Sequence, residues 1–135
     1  MKRVYALIGL FLLMACSGKR LKDSVQDKRL SLQIMKAKST PEETEYKVRI
    51  FYDPKDTQID QKKLTENMWY KQDSSFYRLE GTNKKYADAI IPVPNGIKNC
   101  FEYIVIFNNT KEELGNNLTY KDKYVTGKAY QLSLK

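Results

Sequence analysis

The sequence predicts an all-β fold, namely an antiparallel β-sandwich with at most one short helix. Polar and apolar residues alternate with a period of two in several segments, which is the pattern of strands with one buried face. Turn-forming pairs such as Asp53–Pro54 and Asn95–Gly96 separate these segments. One further segment is almost wholly apolar, as in a central strand. Short strands divided by turns are typical of sandwiches and barrels.

The first two predicted core strands both alternate clearly. The segment "RLSLQI" places Leu30, Leu32 and Ile34 on one face. The segment "EYKVRIFY" places Lys47 and Arg49 on one face and a row of apolar side chains on the other. That apolar row consists of Tyr46, Val48, Ile50 and Tyr52. Each strand is therefore expected to bury one face and to expose the other.

The region that follows leaves two alternatives open. Asp60 can cap a short helix that carries Leu64 and Met68 four residues apart on one face. The same stretch can equally form a long loop. After it, a hairpin is predicted, with strands near 67–72 and 76–80. Trp69, the single tryptophan of the chain, is the expected core anchor there.

The last third of the chain contains the strongest strand signals. "ADAIIPV" is predicted to be a strand, and Pro92 should keep it near a sheet edge or at a strand terminus. "CFEYIVIF" reads as a central strand covered on both faces, and "AYQLSLK" as a final strand. The apolar strand, Pro/Gly turn and tyrosine-containing strand over about 20 residues resemble the E–F region of immunoglobulin-like and fibronectin-like sandwiches. The fold class predicted for the whole domain is an immunoglobulin-like or transthyretin-like sandwich.

The N-terminus has the layout of an export signal. Lys2 and Arg3 precede an apolar run from Val4 to Ala15, which is 12 residues long. A membrane-spanning helix needs about 20 apolar residues. The run is therefore too short for a transmembrane anchor.

The end of this run, "LMAC" at 13–16, resembles the lipobox of bacterial lipoproteins. The resemblance implies cleavage between Ala15 and Cys16 and attachment of acyl chains, including palmitate, to Cys16. It divides the chain into a signal peptide (1–15), a lipidated cysteine with a flexible tether (16–28) and a β-sandwich domain (29–135).

The residues after Cys16 favour an outer-membrane anchor with the domain on the periplasmic side. Ser17 stands where an aspartate would resemble an inner-membrane retention signal. The next charged residues, Lys19, Arg20 and Lys22, are positive, whereas lipoproteins exported to the cell surface tend to carry acidic residues there. The tether itself is expected because "SGKRLKDSVQDK" is polar and has no sustained periodicity.

The composition argues against several kinds of chemistry. The chain has no histidine, so neither a Ser-His-Asp nor a Cys-His arrangement can be built. With Cys16 acylated, Cys100 has no intramolecular partner and is expected to be a buried, free thiol. Acidic residues such as Asp122 are predicted to be solvated charges in loops and not members of a catalytic pair. We therefore expect a non-enzymatic protein with no metal and no cofactor.

Two surface features are weaker signals. "DSV" at 23–25 resembles the Asp-Ser/Thr-aliphatic motif that some Gram-negative lineages glycosylate, which makes Ser24 a candidate glycosylation site. The mature chain has 22 basic and 16 acidic residues, a net charge of +6. An exported protein rarely meets nucleic acid, so the expected partners are the membrane, through Cys16, and other envelope proteins.

The expected function follows from these features together. In architecture, a small sandwich lipoprotein resembles the outer-membrane lipoprotein subunits of envelope-spanning machines, such as a type VI-like secretion system. The alternative is a ligand-binding lipoprotein or an inhibitor, for example an immunity factor against an exported toxin. A long exposed aromatic groove would favour ligand binding, and unpaired strand edges would favour assembly by strand addition.

Overall fold

The computed structural model of the chain describes residues 21–55, 59–109 and 114–134. These ranges contain, in chain order, β1 (Leu21–Gln26), β2 (Leu30–Ser39), β3 (Glu43–Tyr52), α1 (Gln61–Tyr70), β4 (Phe76–Glu80), β5 (Asn83–Tyr86), β6 (Ala89–Val93), β7 (Cys100–Asn108), β8 (Asn117–Lys121) and β9 (Ala129–Ser133). All strand pairs are antiparallel. One sheet has the order β1-β2-β3-β7-β6 and the other β5-β4-β8-β9.

The two sheets share one hydrophobic core, which confirms the predicted sandwich. The predicted alternation in β2, β3 and β9 is also confirmed. The apolar side chains that these strands bury are Leu30, Leu32, Ile34, Tyr46, Val48, Ile50, Tyr130 and Leu132. Tyr52 and Leu134, at strand ends, are partly buried and pack against the same core. Apolar burial of this kind stabilises a fold by about 25 cal/mol per Å².

The strands β6 and β7 lie where their sequences predict, with one difference. Pro92 lies in β6, the last strand of the five-stranded sheet in the described part of the chain, as its missing N–H requires. β7 is central and buries Phe101 and Phe107 on its inner face. Its outer face is not fully covered, because Ile104 and Ile106 are only partly buried. The expectation of a strand covered on both faces is therefore wrong for the outer face.

Of the two alternatives for the region after β3, the helix is correct. The Asp60 carboxylate accepts hydrogen bonds from the backbone N–H groups of Lys62 (3.0 Å) and Lys63 (3.4 Å) at the start of α1. These bonds satisfy donors that have no partner inside the helix. Leu64 and Met68 are buried, as their four-residue spacing predicts.

The predicted hairpin is only half correct. β4 (Phe76–Glu80) forms, but residues 67–70 belong to α1 and not to a strand. Trp69 is partly buried and packs at the margin of the core, so it is not the core anchor. Met68, next to it, fills that role with an exposed fraction of 1%. The helical period of Leu64 and Met68 prevails over the local alternation around Trp69.

The flexible tether predicted over 16–28 is corrected by β1. This strand pairs with β2, and Val25 packs against the core. The Asp23 carboxylate also accepts a hydrogen bond from the Ser133 N–H of β9 at 2.7 Å. At the other end of β1, the Asp27 carboxylate accepts from the Tyr130 hydroxyl at 3.0 Å. The folded domain therefore includes residues from Leu21 onward and does not start at residue 29.

The sandwich has two different ends. We call the end where β1 begins and β9 ends the Leu21 end. The opposite end, called the helix end, comprises residues 27–29, 53–55, 59–75, 94–99 and 121–128. Backbone hydrogen bonds join these segments, from the Asp53 N–H to the Arg29 carbonyl and from the Tyr52 N–H to the Asn99 carbonyl, both at 3.1 Å. The Arg29 guanidinium donates to the Val125 carbonyl at 3.3 Å.

Candidate functional site

The predicted cleavage and lipidation site, Ala15 and Cys16, lies outside the described residues and stays a prediction. Because β1 begins at Leu21, the segment between this predicted site and the folded domain is shorter than the sequence indicates. Only residues 17–20 separate Cys16 from Leu21, and the five residue steps between them reach at most ~18 Å. In the three described ranges, none of the helices combines the length and the apolar character needed to cross a membrane.

Ser24, the candidate glycosylation site, lies in a strand and not in a flexible segment. It is exposed and faces Gln33 across the β1–β2 pair. Its N–H lies 2.8 Å from the Asp23 carboxylate. The side chain is therefore accessible, although the backbone around it is held by strand pairing.

A buried polar cluster fills the core next to α1. The Gln72 side-chain amide lies 3.3 Å from the hydroxyls of both Tyr103 and Tyr120. The Tyr103 hydroxyl donates to the Met68 carbonyl at 2.5 Å, and the Ser75 hydroxyl donates to the Gln72 amide oxygen at 2.7 Å. Burial raises the pKa of Tyr103 above its usual value and that of Tyr120 well above it. Both tyrosines are therefore neutral hydroxyls; Tyr103 contacts α1 directly, and Tyr120 contacts Gln72, which follows the helix.

Asp122 holds the loop between β8 and β9. Its carboxylate accepts hydrogen bonds from the backbone N–H groups of Tyr124 (3.2 Å), Val125 (3.3 Å) and Thr126. It also accepts from the hydroxyls of Thr126 (2.7 Å) and Tyr120 (3.4 Å). The residue is completely buried, so its interpretation as a solvated loop charge is wrong. The charge is stabilised by this set of donors, as buried carboxylates require.

The acidic residues of the described ranges form no cluster that could hold a metal ion. No three of the ligand-type side chains there are close enough together to hold a metal ion. Glu102, on the outer face of β7, is 5% exposed and accepts a hydrogen bond from the Arg49 guanidinium at 2.6 Å. This pair joins β3 to β7 across the sheet. We therefore interpret Arg49 and Glu102 as an ion pair that stabilises the sheet.

Cys100 is less buried than expected. It is a free cysteine at the start of β7, partly buried, and the Asn95 side-chain amide lies 3.5 Å from its sulfur. Burial is the main cause that raises the pKa of the thiol above its usual value of 9.0. The folded protein therefore holds less reactive thiolate than an unfolded chain at the same pH.

We expect Cys100 to react with iodoacetamide about tenfold more slowly in the folded chain than in denaturant at pH 8. The rate in the folded chain should still be rising with pH above 9.0, because the pKa of the Cys100 thiol is raised above that usual value. Mass spectrometry of timed samples measures both rates, and Cys100→Ser is the control for reaction at any other site. Equal rates in the folded and unfolded chains would contradict the partial burial of the thiol.

The most exposed large apolar side chain of the described residues belongs to α1. Tyr70 is 78% exposed, and Ile97, at the same end of the sandwich, is 39% exposed. A depression of about 720 Å³ runs along the outward side of α1. It is lined by Gln61, Lys62, Thr65, Glu66, Trp69 and Tyr70. The helix end thus presents aromatic surface next to polar side chains.

The strand edges are poorly suited to strand addition. In the described part of the chain, the edge strands β1 and β9 lie side by side and are linked by the bonds of Asp23 and Asp27. The edge strand β6 carries Pro92, and the edge strand β5 carries Lys84 and Lys85. Proline and lysine on an edge hinder pairing with another strand. Partner binding through the ends or faces of the sandwich is therefore favoured over β-augmentation.

No protein-family model matches the chain, and neither the curated proteins nor the solved structures contain a match. The sandwich architecture is established by the strands themselves. The finer resemblance to immunoglobulin-like or transthyretin-like sandwiches stays a prediction.

Proposed function

We propose that the protein is a lipoprotein anchored to the outer membrane through lipidated Cys16, with its sandwich on the periplasmic side. In this proposal it is a non-enzymatic interaction subunit of an envelope-spanning assembly, such as a type VI-like secretion system. The observation that carries the proposal is the short distance between the lipobox-like sequence and β1. An anchor at Cys16 would hold the Leu21 end within ~18 Å of the membrane and leave the helix end free.

Durable anchoring requires more than one acyl chain. Each buried CH₂ contributes about 0.8 kcal/mol, and a single chain gives only marginal membrane binding. Lipoproteins of the kind that "LMAC" resembles carry two or three chains. The cations Lys19, Arg20 and Lys22 lie close to the attachment point in the sequence, and each would add about 1 kcal/mol of attraction to an anionic surface.

A specific feature also favours the second candidate, a ligand-binding or inhibitor lipoprotein. The depression along α1, with Trp69 and Tyr70 in its lining, has a volume in the range of small-molecule sites. The two candidate functions predict different results when the protein is purified from cells. A subunit should co-purify with a stoichiometric set of envelope proteins, whereas a ligand-binding protein should be isolated without them.

We expect Cys16→Ser to abolish lipidation. The serine hydroxyl cannot replace the thiol in acyl transfer, so the variant should stay an unprocessed precursor without label in cells fed radioactive palmitate. Cys100→Ser is the matched control, because it removes the other cysteine and should leave labelling and processing unchanged. Incorporation of palmitate into Cys16→Ser would contradict the proposed anchor.

The same cells test the placement of the domain. Protease added to intact cells should not digest the protein, and digestion should follow once the outer membrane is permeabilised. The protein should also fractionate with outer membranes. Digestion in intact cells would place the domain on the cell surface and overturn the periplasmic orientation.

A further inference from the structure

The positive charge of the domain is concentrated at the helix end. Of the 18 cationic and 13 acidic residues in the described ranges, the helix end holds ten cationic and six acidic, a net charge of +4. The remainder holds eight cationic and seven acidic residues, a net charge of +1. This separation depends on the topology, because the ten cations come from five segments that are distant in the sequence.

Most of these cations are available for an external partner. Six exposed lysines of the helix end make no ion pair with any described carboxylate. They are Lys28, Lys55, Lys62, Lys63, Lys71 and Lys98. Of the described cations in ion pairs, Lys128 pairs with Asp27 at the helix end, and Arg49 and Lys85 pair with Glu102 and Asp88 elsewhere on the domain. Asp122, one of the six acids of the helix end, is fully buried and satisfied by its own loop, so it offers little negative charge at the surface.

The same end of the sandwich carries exposed apolar side chains. Tyr70 and Ile97 lie at the same end, with Trp69 partly exposed beside Tyr70. Protein interfaces have an apolar centre rich in aromatic residues and a polar, charged rim. A surface for phosphate groups would instead favour arginine, which binds them in a bidentate manner. The one arginine here, Arg29, donates to the Val125 carbonyl.

We propose that the helix end is a docking surface for an acidic segment of a partner protein, with Tyr70 and Ile97 at its centre and the lysines at its rim. The proposal deepens the proposed function and rests on it for the orientation of the surface. β3 has ten residues, so the helix end would lie ~30 Å from an anchor at the Leu21 end. That distance exceeds the Debye length of ~8 Å, so the charges would not act on the anchoring leaflet.

Site-specific photocrosslinking in cells expressing the full chain tests this surface. A photoreactive amino acid replaces Tyr70 or Ile97 at the helix end, and Glu42, exposed in the β2–β3 turn at the Leu21 end, is the control position. We expect crosslinks to one protein from the two helix-end positions and not from position 42. Mass spectrometry should place the crosslink in a peptide of that protein with a net negative charge.

A matched pair of charge reversals separates electrostatic docking from loss of folding. Lys62→Glu with Lys98→Glu should lower the crosslinking yield by about tenfold or more, because steering by opposite charge is lost. Lys36→Glu with Lys38→Glu changes the net charge equally and should leave the yield unchanged. Glutamate at position 62 lies in the first turn of α1, where it suits the helix dipole, so the fold should be retained. Reversal of the acidic residues in the crosslinked peptide should restore the yield.

Any other outcome would contradict the proposed docking surface. Crosslinks to lipid, to polysaccharide, to a second copy of this chain or to a peptide without net negative charge would contradict an acidic protein partner. Equal yields from both charge reversals, or no crosslink at positions 70 and 97, would contradict docking at the helix end. Palmitate labelling of the same cells separates the two proposals. If label is absent but the crosslinks form, the anchor fails and the docking surface stands.

Discussion

Replacement of Asp122 by alanine is expected to destabilise the domain by about 3 kcal/mol or more, which corresponds to a decrease in Tm of about 10 °C. The carboxylate accepts hydrogen bonds from three backbone N–H groups and the Thr126 hydroxyl, and alanine leaves all of them without this acceptor. Urea unfolding followed by circular dichroism measures the free energy of unfolding. A cost of this size is a large part of the 5–15 kcal/mol that typically holds a domain together.

Two further variants show whether the carboxylate itself is responsible. Asp122→Asn keeps one acceptor oxygen and nearly the same shape, so it should restore part of the loss. Asp73→Ala is the control from a neighbouring loop, because Asp73 is exposed and Lys123 contacts its backbone carbonyl, not its side chain. It should change the stability by less than about 0.5 kcal/mol. If Asp122→Ala and Asp73→Ala were equally stable, the hydrogen bonds of Asp122 would carry no net stability.

Phe76→Ala is expected to cost about 3–5 kcal/mol, the usual range for removing a fully buried aromatic ring. Phe76 is completely buried in β4, where its ring centroid lies 4.9 Å from that of Tyr120 and 6.0 Å from that of Tyr103. Its removal leaves a cavity between the two sheets, beside the buried polar cluster. Equilibrium unfolding in urea, monitored by tryptophan fluorescence and circular dichroism, measures the effect.

Leu79→Ala is the matched control on the same strand. Leu79 is 41% exposed, and its truncation should cost less than about 1 kcal/mol, because much of its surface is already in water and less buried apolar area is lost than at Phe76. Phe76→Leu keeps an apolar side chain in the core and should recover part of the loss of Phe76→Ala. A similar cost for Leu79→Ala and Phe76→Ala would mean that β4 does not bury the face that contains Phe76.

The core strands can be predicted from the sequence because their signal is local. In β2 and β3, side chains two residues apart share a face, so the alternation alone identifies Leu32 and Val48 as buried. Pro92 also identifies an edge strand without any knowledge of its neighbours, since it lacks an N–H. The Leu64 and Met68 pair indicates a helix, although the alternation around Trp69 competes with it.

The other features depend on contacts between distant residues. β1 has few apolar residues, and its strand structure comes from pairing with β2 and from Asp23, whose partner Ser133 lies at the far end of the chain. Asp122 has lysines on both sides in the sequence, and its burial results from Tyr120 and the loop that folds around it. The positive charge of the helix end likewise exists only after the topology has brought five segments together.

The direction in which β1 joins the five-stranded sheet has a mechanical consequence. A lipid at Cys16 and a partner at the helix end would pull the domain from opposite ends, along the axis of the strands. β1 would then slide past β2 under load, and the hydrogen bonds between them, which lie perpendicular to the strands, would be stressed together instead of opening one after another. If both proposed attachments hold, this position of β1 would therefore give the domain a geometry that resists tension between them.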